Sequence, residues 1–398
     1  MKSKDVTTKT MKTRLAALLL IAALFLTGCG NNDSGESLKP DADAAREAID
    51  IALNYRSILE GEHNDGFTTL SSDTMTQIMN AVADMGYAVM EASGELDFKN
   101  PQVVTDFFSK LETSTSAQMT IIEICYDGGL IRSDISVKDG KRTISITRVA
   151  WKDSEPEITY TIESDLLDLR YTDNDYLIYK RDIPDNTGCN HDGYIDPTTM
   201  IRVIPLDEKC LEYCEKYISI IGYERNNLFL TDWTSEDMSG VVINDLFTML
   251  YRESHNQELA LYNCPYNTDL ETGYTSIPAE DFELLIMDYF NITGEKLKMW
   301  AVYDAEKDTY PIAASEIYDP GYSAPPVPEV ISYEENGDST LTLQVDALYA
   351  EYGTDKAFSH TVTIKVEENG SFRFLSNKMH PSAEDTLPVY KNPFSLYN

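Results

Sequence analysis

The sequence predicts an α+β protein made of two units, each with helices first and an antiparallel β-meander after them. Apolar residues recur with the period of a helix in residues 43–111 and again in residues 206–300, and each stretch is followed by period-two alternation. Asp-Gly or Asn-Gly pairs separate many of the alternating segments, as expected of hairpin turns. A chain of 398 residues is long enough for two ordinary domains.

Three helices are predicted at the start of the first unit. The first runs from Asp43 to a stop at Gly61. The second is capped by Ser72 or Asp73, and its apolar face extends as far as Val89. The third opens at Asn100-Pro101, since proline is favoured in the first turn of a helix.

Strands are predicted where the period changes to two. In the first unit these are residues 119–126, 130–137, 143–151, 157–170 and 176–182, with turns at Asp127-Gly128 and Asp139-Gly140. The second unit is predicted to have helices at 206–221, 241–252, 278–290 and 293–300. Its strands are predicted at 329–333, 339–349, 359–367 and 371–376, with turns at Asn336-Gly337 and Asn369-Gly370.

The domain boundaries follow from this order, with units at residues 43–185 and 186–398. A divergent tandem duplication is one interpretation of the repeated order. The other is that any two helix-then-sheet domains share it. The first unit resembles nuclear-transport-factor-like or cystatin-like folds, which have a curved antiparallel sheet, and this resemblance concerns the fold alone.

The N-terminus has the features of a bacterial export signal. Five basic residues precede an apolar run at 15–25, which is too short to span a bilayer. The following Leu26-Thr27-Gly28-Cys29 resembles the lipobox of bacterial lipoproteins. The resemblance implies a signal peptide at 1–28, acylation of Cys29 by chains such as palmitate, and a tether at 29–42. It also implies a lipid-anchored protein on the extracytoplasmic face of the cell membrane; an ordinary signal peptide with a chance cysteine is the alternative.

The charge is strongly negative, with 67 acidic residues, 32 basic residues and a formal net charge of −35. Cleavage before Cys29 would remove five basic residues and one acid, which leaves 27 basic against 66 acidic residues and a net charge of −39. This balance excludes nucleic acid as a partner, because phosphate contacts need clustered Lys and Arg. The expected partners are the membrane, through the lipid anchor, and a cell-envelope protein, a cationic peptide or a glycan.

The second half contains a series of short motifs. They are Asn227-Leu228-Phe229, Asp232-Trp233, Asn244-Asp245-Leu246-Phe247, Leu250-Tyr251, residues 277–282 and 286–290, Tyr303-Asp304 and Tyr310-Pro311. With these motifs the chain resembles a family of uncharacterised lipoproteins from Clostridia-type Firmicutes over residues 195–380. The resemblance implies a shared origin and location, since the family has no assigned activity.

The residue types suggest two metal sites. Zinc prefers Cys and His ligands, and the chain offers Cys189, His191, Cys210 and Cys214, although the last two also fit the apolar stripe of a helix. Asn190, Asp192 and Asp196 resemble the middle of a calcium loop that departs from the pattern at both ends, where a solvated turn is the alternative. No cofactor is expected, and calcium is the one ion considered further.

Motifs for nucleophilic, metalloprotease or nucleotide chemistry do not occur in the sequence. We therefore expect a non-enzymatic binding or scaffolding module at the cell envelope. A glycan or peptidoglycan hydrolase is the main alternative, because that chemistry needs two carboxylates and the chain has many. Calcium-dependent adhesion through the Asn190–Asp196 region is a third hypothesis.

Overall fold

A computed structural model describes residues 42–61, 69–94, 96–183, 198–259, 264–313 and 324–394. The chain divides into two compact units, with the boundary between Pro205 and Leu206. Each unit combines helices with a mainly antiparallel sheet, so the predicted α+β class is confirmed.

The first unit is built on one seven-stranded sheet that curls into a half-barrel, with strands in chain order. Its helices are Ala42–Asn54 (α1), Arg56–Glu60 (α2), Ser72–Ala83 (α3) and Gln102–Thr113 (α4). Its strands are Ala88–Glu91 (β1), Ser116–Ile124 (β2), Leu130–Lys138 (β3), Lys141–Lys152 (β4), Glu155–Tyr171 (β5), Tyr176–Arg181 (β6) and Thr198–Arg202 (β7).

Strands β1 and β7 differ from the predictions. The helical pattern was extended to Val89, but α3 ends at Ala83 and Gly86 adopts a positive φ of 94°, which lets the chain reverse into β1. Val89 therefore lies in a strand parallel to β2. Strand β7 pairs with β6 and belongs to the compact first unit, in a stretch where the sequence predicts no strand. The predicted domain bounds stay predictions.

Both faces of this sheet are covered by helices. Alternate residues of a strand point to opposite faces. On β2, Ile122 and Ile124 belong to the core shared with α1 and α3, whereas Met119 and Ile121 belong to the core shared with α4. The sheet therefore lies between two small cores.

A tight turn between β2 and β3 is held from two sides. The Tyr55 hydroxyl and the Trp151 indole N–H both donate to the Gly128 carbonyl oxygen, at 3.0 and 2.8 Å. The next residue, Gly129, has no room for a side chain, because a Cβ there would lie 2.5 Å from the carbonyl oxygen of Val149. This position is thus restricted to glycine by backbone contact.

The substitution Gly129→Ala is expected to lower the free energy of unfolding of the first unit by about 1–3 kcal/mol, as typical overpacking does. Chemical denaturation measures the loss. The matched control is Gly337→Ala, where a Cβ would meet nothing within 4 Å. Equal stability of the two variants would contradict the steric argument.

The second unit has two sheets and four helices in its described residues. The helices are Glu208–Tyr213 (α5), which continues as a π-helical turn over Cys214–Ile218, Leu246–His255 (α6), Ala279–Tyr289 (α7) and Gly294–Trp300 (α8). The strands are Trp233–Thr234 (β8), Asn267–Asp269 (β9), Tyr274–Pro278 (β10), Thr309–Ala313 (β11), Val327–Glu335 (β12), Thr340–Leu348 (β13), Ser359–Val366 (β14) and Phe372–Met379 (β15). The sheet orders are β12-β13-β14-β15-β8 and β11-β10-β9.

The core of the second unit is rich in stacked aromatic rings. Phe282 of α7 lies between Phe247 of α6 and Tyr310 of β11, with ring centroids 5.3 and 4.2 Å apart. All three residues are almost fully buried. These contacts join α6, α7 and the smaller sheet. The sheets of the two units differ in number and strand order, and the tandem duplication stays a prediction.

Candidate functional site

A small polar-edged pocket, here called the Asp245 pocket, lies in the second unit and has a volume of about 230 Å³. It is lined by residues that are distant in sequence. They are Ile221, Glu224, Arg225, Asn244, Asp245, Thr248, Met249, Arg252, Glu258, Leu259, Ile312, Ala313 and Pro393.

One face of α6 and the residue before it supply much of this lining. Asp245, Thr248, Met249 and Arg252 are spaced at i, i+3, i+4 and i+7, which places them on one side of a helix. The opposite side carries buried residues that pack into the core, Phe247 among them. The helix therefore presents a polar stripe to the pocket while its apolar stripe anchors it.

Asn244 fixes the start of this helix. Its side-chain nitrogen donates to the carbonyl oxygens of Val302 and Pro311, at 2.9 and 2.8 Å, and its side-chain oxygen accepts from the Val302 N–H at 2.9 Å. Asn244 is 1% exposed. These three bonds position the neighbouring Asp245 against β11 and the segment after α8.

Asp245 is the least exposed acidic group of the pocket, with 9% of its surface accessible. The Tyr390 hydroxyl donates to its Oδ2 at 2.5 Å. Its other oxygen, Oδ1, accepts no hydrogen bond from any described residue. Burial raises the pKa of Asp245 to about 7, and the bond from Tyr390 offsets a part of this rise. The carboxyl group can therefore gain or lose a proton near neutral pH.

Two arginines bring positive charge to the same pocket. Arg225 Nε lies 3.5 Å from Glu224 Oε1, and Arg252 Nη1 lies 3.5 Å from Glu258 Oε1. Strong charge-assisted bonds are shorter, about 2.7–2.9 Å. The Arg252 pair is long and both of its side chains are exposed, so a bound anionic group can compete for this guanidinium group.

The predicted zinc ligands Cys210 and Cys214 are 3% and 9% exposed, on the buried face of α5 and its π-helical continuation. The Cys214 thiol lies 3.1 Å from the Pro328 carbonyl oxygen, and burial raises the pKa of both thiols. Their proposed partners Cys189 and His191 lie outside the described residues.

The other predicted site residues are also beyond the described ranges, namely Cys29, Asn190, Asp192 and Asp196. Within those ranges no group of three or more His, Cys, Asp or Glu side chains could hold a metal ion. The zinc, calcium and lipidation hypotheses stay predictions.

A second polar centre, which was not predicted, lies inside the larger sheet of the second unit. His360 is fully buried and stacks on Phe229. Its Nδ1 lies 2.7 Å from the side-chain oxygen of Asn377, and its Nε2 lies 2.9 Å from the Tyr223 hydroxyl. Asn377 in turn donates to the Thr231 carbonyl oxygen at 2.8 Å. Burial lowers the pKa of His360 to about 4, so the ring is neutral at neutral pH.

Several residues of the motifs noted in the sequence make hydrogen bonds that connect segments of the second unit. Asn227 donates to the Gly240 carbonyl oxygen and accepts from the Val242 N–H, both at 2.9 Å. Asp232 accepts from the Met379 N–H at 2.7 Å, next to its contact with Lys378. These motif residues thus act in packing, whereas Asn244-Asp245 builds the pocket.

Sequence reasoning missed the pocket because its lining comes from segments between residues 221 and 393. The available signal was the polar stripe of α6, where Asp245, Thr248 and Arg252 recur on one side of a helix that is otherwise apolar. Such a stripe is also typical of a solvated helix face. The pattern by itself therefore could not distinguish a pocket from a surface.

The described residues define a two-unit α+β protein with a small polar-edged pocket in its second unit. The chain belongs to a family of unknown function, DUF6070, and the match covers residues 41–393. No curated protein and no solved structure matches the chain. Among the described residues, no helix is long and apolar enough to cross a membrane.

Proposed function

We propose that the protein is a lipid-anchored binding protein on the extracytoplasmic face of a bacterial cell membrane, and that its second unit binds a small molecule in the Asp245 pocket. The observation that carries the proposal is the nearly buried Asp245 carboxyl group, with one oxygen that accepts no hydrogen bond from a described residue, in a pocket that two arginines also line. Pockets with a few convergent polar groups and a perturbed pKa are typical of binding sites. The lipobox-like Leu26–Cys29 supports the location, and the motifs of the second half support the origin in a Clostridia-type Firmicute.

The location is tested with Cys29→Ser in a bacterial host. The unaltered chain is expected to incorporate labelled palmitate and to partition into the detergent phase, because the acyl chains supply the membrane affinity. The variant is expected to lose the palmitate label, because it has no thiol at position 29. Palmitate labelling that persists in Cys29→Ser would exclude this anchor.

The binding site is tested by thermal unfolding of Cys29→Ser protein with amino acids, small sugars, short peptides and polyamines. A compound at 100 times its Kd stabilises the native state by about 2.7 kcal/mol. We expect Thr248→Phe, which fills the pocket, to abolish this effect. The matched control Leu284→Phe, at an exposed position of α7, should retain it. Equal stabilisation of the unaltered and Thr248→Phe proteins would place binding elsewhere.

A hydrolase acting on wall glycan is the second candidate, favoured by one feature of the pocket. An acid with a pKa near 7 can donate a proton to a leaving group, and Glu224 or Glu258 could supply the second carboxylate. Release of reducing ends from purified wall fragments tests this chemistry. Asp245→Asn should reduce the rate at least 100-fold if Asp245 is the general acid, and no release by the unaltered protein would exclude it.

A further inference from the structure

The geometry points to a specific chemical class of ligand for the Asp245 pocket: a zwitterion with an apolar side chain, of the size of a single amino acid. This inference rests on the binding function proposed above and names its ligand. It combines three features of the pocket, which are an open carboxyl oxygen, two guanidinium groups and an apolar wall.

The carboxyl group provides the contact for an ammonium group. Asp245 Oδ2 is occupied by the Tyr390 hydroxyl, whereas Oδ1 accepts no hydrogen bond from a described residue. A buried carboxylate without a cationic partner is costly, and a hydrogen-bonded ammonium group removes that cost. A ligand amine donating to Oδ1 would complete the set of contacts of this side chain.

The arginines provide the contact for a carboxylate group. Arg252 follows Asp245 by seven residues, which corresponds to about 10 Å of rise along the helix. The Arg252 guanidinium lies 3.5 Å from Glu258 after the end of the helix, and both residues line the same pocket as Asp245. Arg225 lines the same cavity from the turn after the π-helical segment. Guanidinium groups match the planar geometry of a carboxylate.

The remaining wall suits an aliphatic or similar side chain. It includes Ile221 and Ile312, which are 4% and 2% exposed, together with Met249 and Leu259. A volume of about 230 Å³ corresponds to about eight water molecules at ~30 Å³ each. Drug-sized sites start at about 300 Å³. The cavity is therefore suited to a molecule of about eight non-hydrogen atoms, which is close to the size of a single amino acid.

The charge pattern favours a zwitterion over the alternatives. Cationic ligands would place like charges beside Arg225 and Arg252, and anionic ligands would place like charges beside Asp245, Glu224 and Glu258. A neutral molecule would leave the open Asp245 oxygen without a charged donor. A zwitterion matches both signs in one small volume.

The test is isothermal titration of the Cys29→Ser protein with three amino acids, L-leucine, L-methionine and L-phenylalanine. Two analogues of leucine test its amine and its carboxylate group separately. 4-Methylpentanoate lacks the amine, and isopentylamine lacks the carboxylate. We expect at least one amino acid to bind with a Kd below 1 mM. Each leucine analogue should bind at least 10-fold more weakly than leucine, since hydrogen bonds to charged groups contribute about 10- to 100-fold.

Variants assign the two ends of the ligand to the protein. Arg252→Gln should weaken amino-acid binding at least 10-fold, whereas the matched control Arg373→Gln, at an exposed position of β15, should leave the Kd within twofold. Asp245→Asn should also weaken amino-acid binding at least 10-fold. This variant tests the contact with the ammonium group, whereas Arg252→Gln tests the contact with the carboxylate group.

Three results would overturn the inference. One is isopentylamine or 4-methylpentanoate binding as tightly as leucine. Another is an unchanged Kd in Arg252→Gln. The third is binding of none of the three amino acids with a Kd below 10 mM. Suppose that a different compound then stabilises the protein and loses this effect in Thr248→Phe. In that case the ligand class is wrong and the proposed binding function stands. If no compound acts through Thr248, the binding function itself fails.

Discussion

The substitution His360→Ala is expected to lower the free energy of unfolding of the second unit by about 3–5 kcal/mol. Removing a large, fully buried ring leaves a cavity, which for aromatic residues costs about 3–5 kcal/mol. It also leaves the Tyr223 hydroxyl and the Asn377 side-chain oxygen without their bonds to the ring. The expected loss is large enough to unfold the unit under mild conditions.

The measurement is urea denaturation followed by tryptophan fluorescence in a Trp151→Phe background. The chain has three tryptophans, and the two others, Trp233 and Trp300, lie in the second unit, so their signal reports that unit alone. The matched control is His380→Ala, because His380 is exposed and contacts Thr361. A loss below about 1 kcal/mol for His360→Ala would contradict the buried network.

The second large effect concerns Asp245 and depends on pH. The pKa of Asp245 is about 7 in the folded chain and 3.8 in its ordinary state. Below about pH 3 the group is protonated in both states and has no effect. As the pH rises from about 3 to 7, the unfolded chain releases its proton first, so stability falls through this window. The shift corresponds to about 4 kcal/mol, and the positive end of α6 reduces it by up to about 1 kcal/mol.

The variant Asp245→Asn is therefore expected to be about 3 kcal/mol more stable than the unaltered protein at pH 8, and more stable by less than about 1 kcal/mol at pH 4. The amide oxygen can still accept the bond from Tyr390, so the change removes the charge and keeps the contact. Urea denaturation at pH 4, 6 and 8 in the Trp151→Phe background measures the difference.

Two other groups with shifted pKa values need to be separated from this effect. Burial also raises the pKa of Glu123 to about 7, but this effect is the same in Asp245→Asn and the unaltered protein and cancels in their difference. The pKa of His360 is near 4 in the folded chain, so protonation of this residue lowers the stability of the second unit as the pH falls below 6.5. This loss is the same in Asp245→Asn and in the unaltered protein. A stability difference that is constant with pH would contradict the assigned pKa of Asp245.

Local patterns in the sequence predicted much of the fold. The strands of the first meander agree with β2 to β6 because hairpin pairing is local, and the turn at Asp127-Gly128 connects β2 and β3 as expected. The strands that were missed pair over long distances or are very short. Strand β1 is parallel to a strand that begins 25 residues after its own end at Glu91, and β8 has two residues.

The site was harder to predict because its chemistry depends on burial. In the sequence, Asp245 is one of 67 acidic residues, and His360 has no partner nearby along the chain. Their shifted pKa values arise from packing against segments that include Tyr390, Tyr223 and Asn377. Residue type and spacing do not encode such contacts.

The central claim, that the Asp245 pocket is the binding site of this protein, is tested most directly by methyl NMR. The Cys29→Ser protein is labelled at methionine and isoleucine methyl groups and titrated with the compound that most raises its melting temperature. The account predicts that the largest shift changes occur at Met249, Ile221 and Ile312, and that they disappear in Thr248→Phe. Unchanged signals from these three residues, with shifts elsewhere, would contradict it.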